Sequence, residues 1–319
     1  MRILSVAVAI VLGLCVSSYA APLDMKHVAA DAKWVMHLDV DAMRNSVVIE
    51  KAYHKCLQMQ PEAGQHLDTV QAMIGMDLRT GLHGITCYGP QVGKHKGVLI
   101  VLGDMKQQVL LDKAKAAPGH QMTKYGDCEL YTWTMKKGDQ EHQATGAFFK
   151  PNVLVFSGTA DETKAALDVL SGKAASKAGQ KCPLACPVCP GAILLSRAVD
   201  VSPNIAKTRC PVIKNVLSWD ICMGEDKGES FLHEEFVANT PEIAAQFKAV
   251  ADGIKAVVSL NLGADSPVAK SINGASVTCE GQKLTVKWSA PAEGVWNELE
   301  KMGKHLAEMK AKHESHKKK

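Results

Sequence analysis

No regular secondary-structure element can run through Cys182-Pro183-Leu184-Ala185-Cys186-Pro187-Val188-Cys189-Pro190-Gly191. A proline follows each cysteine. Proline lacks the N–H that helices and ladders use, and it disfavours helical backbone in the residue before it. With the Gly-, Lys-, Ala- and Ser-rich stretch ahead of it, this segment reads as a linker or ordered loop. The chain must therefore fold on either side of it. It is also the densest group of reactive side chains in the protein.

Residues 1–20 read as a secretory signal. Arg2 opens a short apolar run to Val16, and Ser18-Tyr19-Ala20 offers small residues at the −3 and −1 positions, so cleavage is expected before Ala21. Leu14 stands before Cys15 where a lipobox wants a small residue, which weighs against a lipoprotein. No later stretch is apolar and long enough to span a bilayer, so the mature chain is expected to be secreted or periplasmic.

The remaining chain divides into a first half over 21–172, a Cys/Pro-rich linker over 173–191, a second half over 192–312 and a basic tail over 313–319. In the first half, 33–40 reads as a strand with Asp41 as the N-cap of a helix over 42–59. A second helix over 62–75 follows Pro61. Strands at 81–88 and 97–102, a helix at 105–116, hairpins at 120–135 and 144–156, and a helix at 160–171 capped by Thr159 complete it. The second half reads as strands at 192–199, 215–223 and 229–237, a helix from Pro241, strands at 274–279 and 283–288, and a last helix from Pro291.

The halves repeat one another. Phe156-Ser-Gly-Thr-Ala-Asp161 aligns without gaps to Trp288-Ser-Ala-Pro-Ala-Glu293, and Cys87 with Gly89 matches Cys222 with Gly224. The expected fold is α+β, as two diverged repeats, each an antiparallel sheet with helices packed on one face. The first half carries additional helices near its start and an additional hairpin at 144–156.

Several stretches resemble uncharacterised secreted bacterial proteins. They are Ala32-Lys33-Trp34-Val35-Met36-His37-Leu38-Asp39-Val40-Asp41-Ala42-Met43-Arg44, Gly75-Met76-Asp77-Leu78-Arg79, Leu82-His83-Gly84-Ile85-Thr86, Ala165 to Lys173, and Trp288 to Trp296. The resemblance covers most of the mature chain and its motifs are strand ends, caps and turns. It implies a duplicated α+β exported protein and brings no activity or site. The cysteine-rich linker departs from it.

The chemistry centres on cysteine. Ten cysteines occur, and removal of Cys15 with the signal leaves an odd number. In an oxidising compartment the preferred reading of Cys182, Cys186 and Cys189 is a disulfide-stapled loop. The alternative is a Zn or iron–sulfur site, with Cys210 or a histidine as fourth ligand. Cys186-Pro-Val-Cys189 also has the C-x-x-C spacing of a redox pair, but it lies in a loop before a strand and does not open a helix. Cys87 and Cys222 are either a disulfide between sheets or two small buried residues, the second being favoured.

Asp39 and Asp41 are a conceivable acid–base pair, but a strand-end polar residue and an N-cap account for them better. His37 reads as a strand residue, and His305, His313, Glu314 and His316 as a solvated helix end. Glu234-Glu235 after His233 lacks the second histidine of a zinc-binding H-E-x-x-H. No nucleophile elbow, phosphate loop or dinucleotide fingerprint occurs. Aromatics are only 5 %, and the net charge of +4 is spread through the chain, which argues against nucleic-acid binding. The function expected is that of an exported, non-catalytic binding or structural component of the cell envelope, with an envelope protein or ligand as partner and no cofactor. The thiol or metal protein is the alternative.

Overall fold

The computed structural model describes residues 21–92, 96–138, 140–186, 188–201, 213–262 and 267–317. The expected signal, Pro187 and Cys210 lie outside them, as do the side chains of Leu306, His313, Glu314 and His316. The strands are β1 (Trp34–Asp39), β2 (Leu82–Gly89), β3 (Val98–Gly103), β4 (Gln121–Tyr125), β5 (Cys128–Lys137), β6 (Gln140–Lys150), β7 (Val153–Ser157), β8 (Ala192–Ala198), β9 (Val216–Asp226), β10 (Glu229–Ala238), β11 (Ser276–Glu280) and β12 (Lys283–Pro291). The helices are α1 (Val40–Arg44), α2 (Val47–Met59), α3 (Glu62–Ile74), α4 (Gln107–Ala116), α5 (Ala160–Leu170), α6 (Pro241–Leu262), α7 (Pro267–Asn273) and α8 (Ala292–Lys317). No helix of the described residues is long and apolar enough to cross a membrane.

The α+β class and the antiparallel pairing are as expected. The strands do not form two sheets, however. They join in one twelve-stranded sheet of order β11-β12-β10-β9-β8-β1-β2-β3-β7-β6-β5-β4. The joint is the pairing of β1 with β8, from Trp34 opposite Ala198 to Leu38 opposite Leu194. Each of these strands would otherwise present an unpaired edge. The same order of neighbours runs outward from the joint on both sides: β1-β2-β3-β7-β6 and β8-β9-β10-β12-β11. In that correspondence the unmatched hairpin is β4–β5, not the one at 144–156.

Side chains alternate between the two faces of the sheet. Along β1, Val35, His37 and Asp39 are buried on one face, which we call the His37 face. Its core joins Val35, Tyr88, Ile100, Leu130 and Val155 from the strands to Leu23 and Val28 of the lead-in, Leu167 of α5 and Leu184 of the cysteine loop. The opposite face carries Leu38, Ile85 and Val101 against a second cluster, in which Val40 and Met43 of α1, Tyr53 of α2 and Leu67 of α3 pack with Met76, Leu78 and Leu82. Trp288 of β12 donates to Ser271 of α7 at 2.8 Å on that same side. Helices therefore crowd one face, and the other is closed by α5, the lead-in and the loop.

The expected helix over 42–59 is two helices. Asp39 ends β1 and caps α1, accepting from the Ala42 N–H at 2.8 Å. Ser46 then caps α2, and Glu225, projecting from the end of β9, accepts from the Ser46 hydroxyl at 2.8 Å and the Val47 N–H at 3.0 Å. A carboxylate at a helix N-terminus satisfies orphan N–H groups and complements the helix dipole. Glu225 thus ties the second half to the helices of the first.

Candidate functional site

The end of β1 and the cysteine loop enclose one site on the His37 face. Its floor is a cross-strand row in which Thr86, His37, Leu195 and Cys222 stand opposite one another on β2, β1, β8 and β9. His37 is buried, with Nδ1 at 2.8 Å from the Thr86 hydroxyl and Nε2 at 2.8 Å from the Ala21 carbonyl. A carbonyl only accepts, so Nε2 carries the proton and the Thr86 hydroxyl donates to Nδ1. Burial lowers the His37 pKa to about 4, so the ring is neutral near neutrality. The sequence reading of His37 as a strand residue agrees with this placement.

Asp39 is 3 % exposed. Burial pushes its carboxyl pKa up, against N–H donors from Ala42, Ala21 and Asp41. Asp41, expected as the cap, lies inside the first turn of α1. It accepts from the Arg44 guanidinium and stands 3.0 Å from His83 Nδ1, whose Nε2 is 3.3 Å from Asp104. Arg44 also donates to the Leu78 and Leu82 carbonyls. The two carboxylates therefore serve separate networks: Asp39 holds the lead-in and α1, and Asp41 holds the turn before β2.

The loop is ordered by two side chains. Leu184 is a plug, 1 % exposed, in the His37-face core. Arg197 of β8, 2 % exposed, donates to Asp220 at 3.0 Å and to the Leu184 and Cys186 carbonyls. Beyond it, Gly191 (φ +71°) crosses β9, where the Glu225 N–H donates to its carbonyl at 3.0 Å. A Cβ on Gly191 would stand 2.2 Å from the Glu225 carbonyl oxygen, and one on Gly224 would stand 2.1 Å from the Gly191 oxygen. Both positions require glycine.

The crossing brings Cys189 onto Cys222, whose buried thiol hydrogen-bonds to it. Burial first, and the Cys189 thiol second, push the Cys222 pKa up. Cys182 is half-buried and Cys186 exposed, and the described cysteines are free thiols in this structure. Among the described residues, no three His, Cys, Asp or Glu side chains come together as a metal site. A Cys87–Cys222 disulfide within one chain is excluded. Cys87 lies one register row from the Thr86–Cys222 row and so faces the other side of the sheet. β1 and β8 also separate the two strands, about 14 Å at normal strand spacing, too far for a disulfide.

Cys189, Pro190, Leu195, His37, Asp39 and Leu23 line a cavity of about 200 Å³ beneath the loop. The site holds one neutral imidazole, one buried carboxyl and a thiol pair. The sequence reading did not single out Arg197 or Glu225. Only their tertiary neighbours distinguish them from any strand residue.

A second feature lies on α6. Ile243 and Phe247 are half-buried, but Val250, Ile254, Val257 and Leu260 are 57–84 % exposed along the continuation of the same stripe. On α8, Leu299, Met302 and Met309 are also exposed.

No protein-family model matches the chain, and no curated protein does. Among solved structures, three crystal forms of the Treponema protein TP0453 are similar to it. Form I has 10 % identity and a TM-score of 0.40 over 89 % of this chain and 99 % of that one. Form III has 12 % and 0.39 over 87 % and 98 %, and form IV has 12 % and 0.46 over 88 % and 97 %. Likeness at this level carries no inference about activity or ligand.

Proposed function

We propose that the protein is an exported, non-catalytic binding component of the cell envelope, and that it engages a partner protein through the apolar face of α6. The observation that carries this reading is the solvent-exposed apolar run Val250, Ile254, Val257 and Leu260. Its spacing of four, three and three residues is that of the anchors a helix lays into a hydrophobic groove. The charged residues of α6 are Glu242, Lys248, Asp252 and Lys255, two of each sign. A helix lying on an anionic lipid surface carries a cation-rich polar face, which α6 lacks. A protein groove is therefore the better match.

Site-specific photocrosslinking in intact cells tests it. A photoreactive residue at 254 or 257 is expected to trap one and the same partner, and Ile254→Lys placed beside it to abolish the product. Crosslinks to lipid, or none above a control at Glu280, would refute the surface. Turnover of a hydrolase substrate panel, lost on Asp39→Asn, would refute the non-catalytic assignment.

The thiol alternative is supported by the Cys189–Cys222 contact, which concerns a pair of cysteines and not the cluster of three. Metal content together with free-thiol counting of the native protein separates the two readings. A metal retained through Cys182, Cys186 and Cys189 would favour the alternative.

A further inference from the structure

The lead-in reaches the His37 face at Ala21, the residue before which the sequence places signal cleavage. Both of its main-chain groups are engaged. Its N–H donates to the Asp39 carboxylate, and its carbonyl accepts from His37 Nε2 at 2.8 Å. Its methyl group lies over Gly84, where an added Cβ would stand 3.4 Å away. Leu23, two residues on, is in the buried core. Asp39 is 3 % exposed, and among the described residues no lysine or arginine pairs with it. A buried carboxylate without a counter-charge is strongly destabilising.

We infer that Ala21 is the first residue of the mature chain and that its α-ammonium forms a buried ion pair with Asp39, locking the lead-in onto β1. The inference rests on the export reading above. Hydrolysis of the Ala20–Ala21 bond by a signal peptidase consumes one water. It leaves a carboxylate on Ala20 and an amine on Ala21, which takes up a proton. One neutral N–H donor thereby becomes a cation with three, at the position where the Asp39 carboxylate already accepts. With its N–H and carbonyl both engaged and its methyl packed over Gly84, Ala21 in this pose offers a protease no free main-chain groups, so cleavage precedes docking. The lead-in, His37 and the floor of the loop cavity then assemble only on the exported, processed protein.

The test uses protein expressed with its own leader and recovered from the envelope. N-terminal sequencing is expected to begin at Ala21. The mature form is then compared with a form carrying one glycine before Ala21 and with Asp39→Asn, since asparagine still caps α1. Each change is expected to raise the unfolding equilibrium constant about tenfold, and both together little more than either alone. The α-amine of the mature form should also resist an amine-acylating reagent at neutral pH, while that of the extended form reacts freely. That comparison decides the matter even if Asp39→Asn fails to fold. Sequencing that begins at Met1 overturns this inference and the export reading together, and a start at any other residue overturns this inference alone. A start at Ala21 with unfolding and acylation unchanged by the added glycine overturns this inference alone.

Discussion

Replacing Arg197 by leucine should release the cysteine loop. The side chain is 2 % exposed and donates to Asp220, Leu184 and Cys186. Leucine keeps most of the apolar stem but leaves two loop carbonyls and one partly exposed carboxylate without this donor. Breaking a buried pair by removing one partner destabilises by about 3–5 kcal/mol. Asp220 keeps about a third of its surface in water, which argues for the lower end, near 3 kcal/mol. The loss should not be purely global. With Leu184 and Cys186 unpinned, Cys189 lifts from Cys222, whose thiol lies buried beneath it. Urea unfolding of the reduced protein, with the rate of Cys222 modification by a thiol reagent measured under native conditions, reads both effects. A stability loss below about 1 kcal/mol with unchanged Cys222 protection would refute the view that Arg197 holds the loop.

Three other outcomes follow from the same geometry. His37 is held neutral with its pKa lowered to about 4, so between there and its unfolded value near 6.5 the unfolded chain binds more protons. Stability should therefore fall as pH drops through that window, by about 3 kcal/mol in all, and urea midpoints of His37→Asn should lose that slope; an equal slope in both proteins would exclude the assignment. On oxidation Cys189 should pair with Cys222 and stabilise by about 2–4 kcal/mol, and peptide mapping that pairs Cys189 with Cys182 or Cys186 would contradict it. Gly191→Ala should destabilise by at least about 2 kcal/mol from positive φ and the clash with Glu225, whereas Gly253→Ala on α6, with nothing within 4 Å of the added Cβ, should stabilise by about 0.5–1 kcal/mol; thermal unfolding of the pair tests the contrast.

Much of the local structure was legible because it depends on near neighbours. Thr159 caps α5, accepting from the Glu162 N–H at 3.2 Å, and Gly75 ends α3 at φ +67°. Strand runs such as Val98 to Leu102 declared themselves by composition. The break at Asn45 and Ser46 was not legible, because the second cap of α2 is Glu225, 179 positions from Ser46. Asp41 looked like a cap for the same local reason that Asp39 is one. The choice between them depends on where β1 stops pairing with Gly84 and on the presence of His83 and Arg44. At the candidate site, Cys189 was visible as a reactive residue. Its partner was not, since the three nearby cysteines shared a sequence neighbourhood and Cys222 shared none.

The amino-acid sequence by itself determined the α+β class, most element positions and the irregular cysteine loop, all set by caps, prolines and alternation within a few residues. Only the tertiary structure decided that β1 and β8 pair, merging the halves into a single twelve-stranded sheet. It alone set Ala21 on Asp39 and Cys189 on Cys222, and left the apolar side chains of Val250, Ile254 and Leu260 exposed. Strand pairing and burial depend on which distant surfaces meet, and the pattern of polar and apolar residues along one element does not specify its partner.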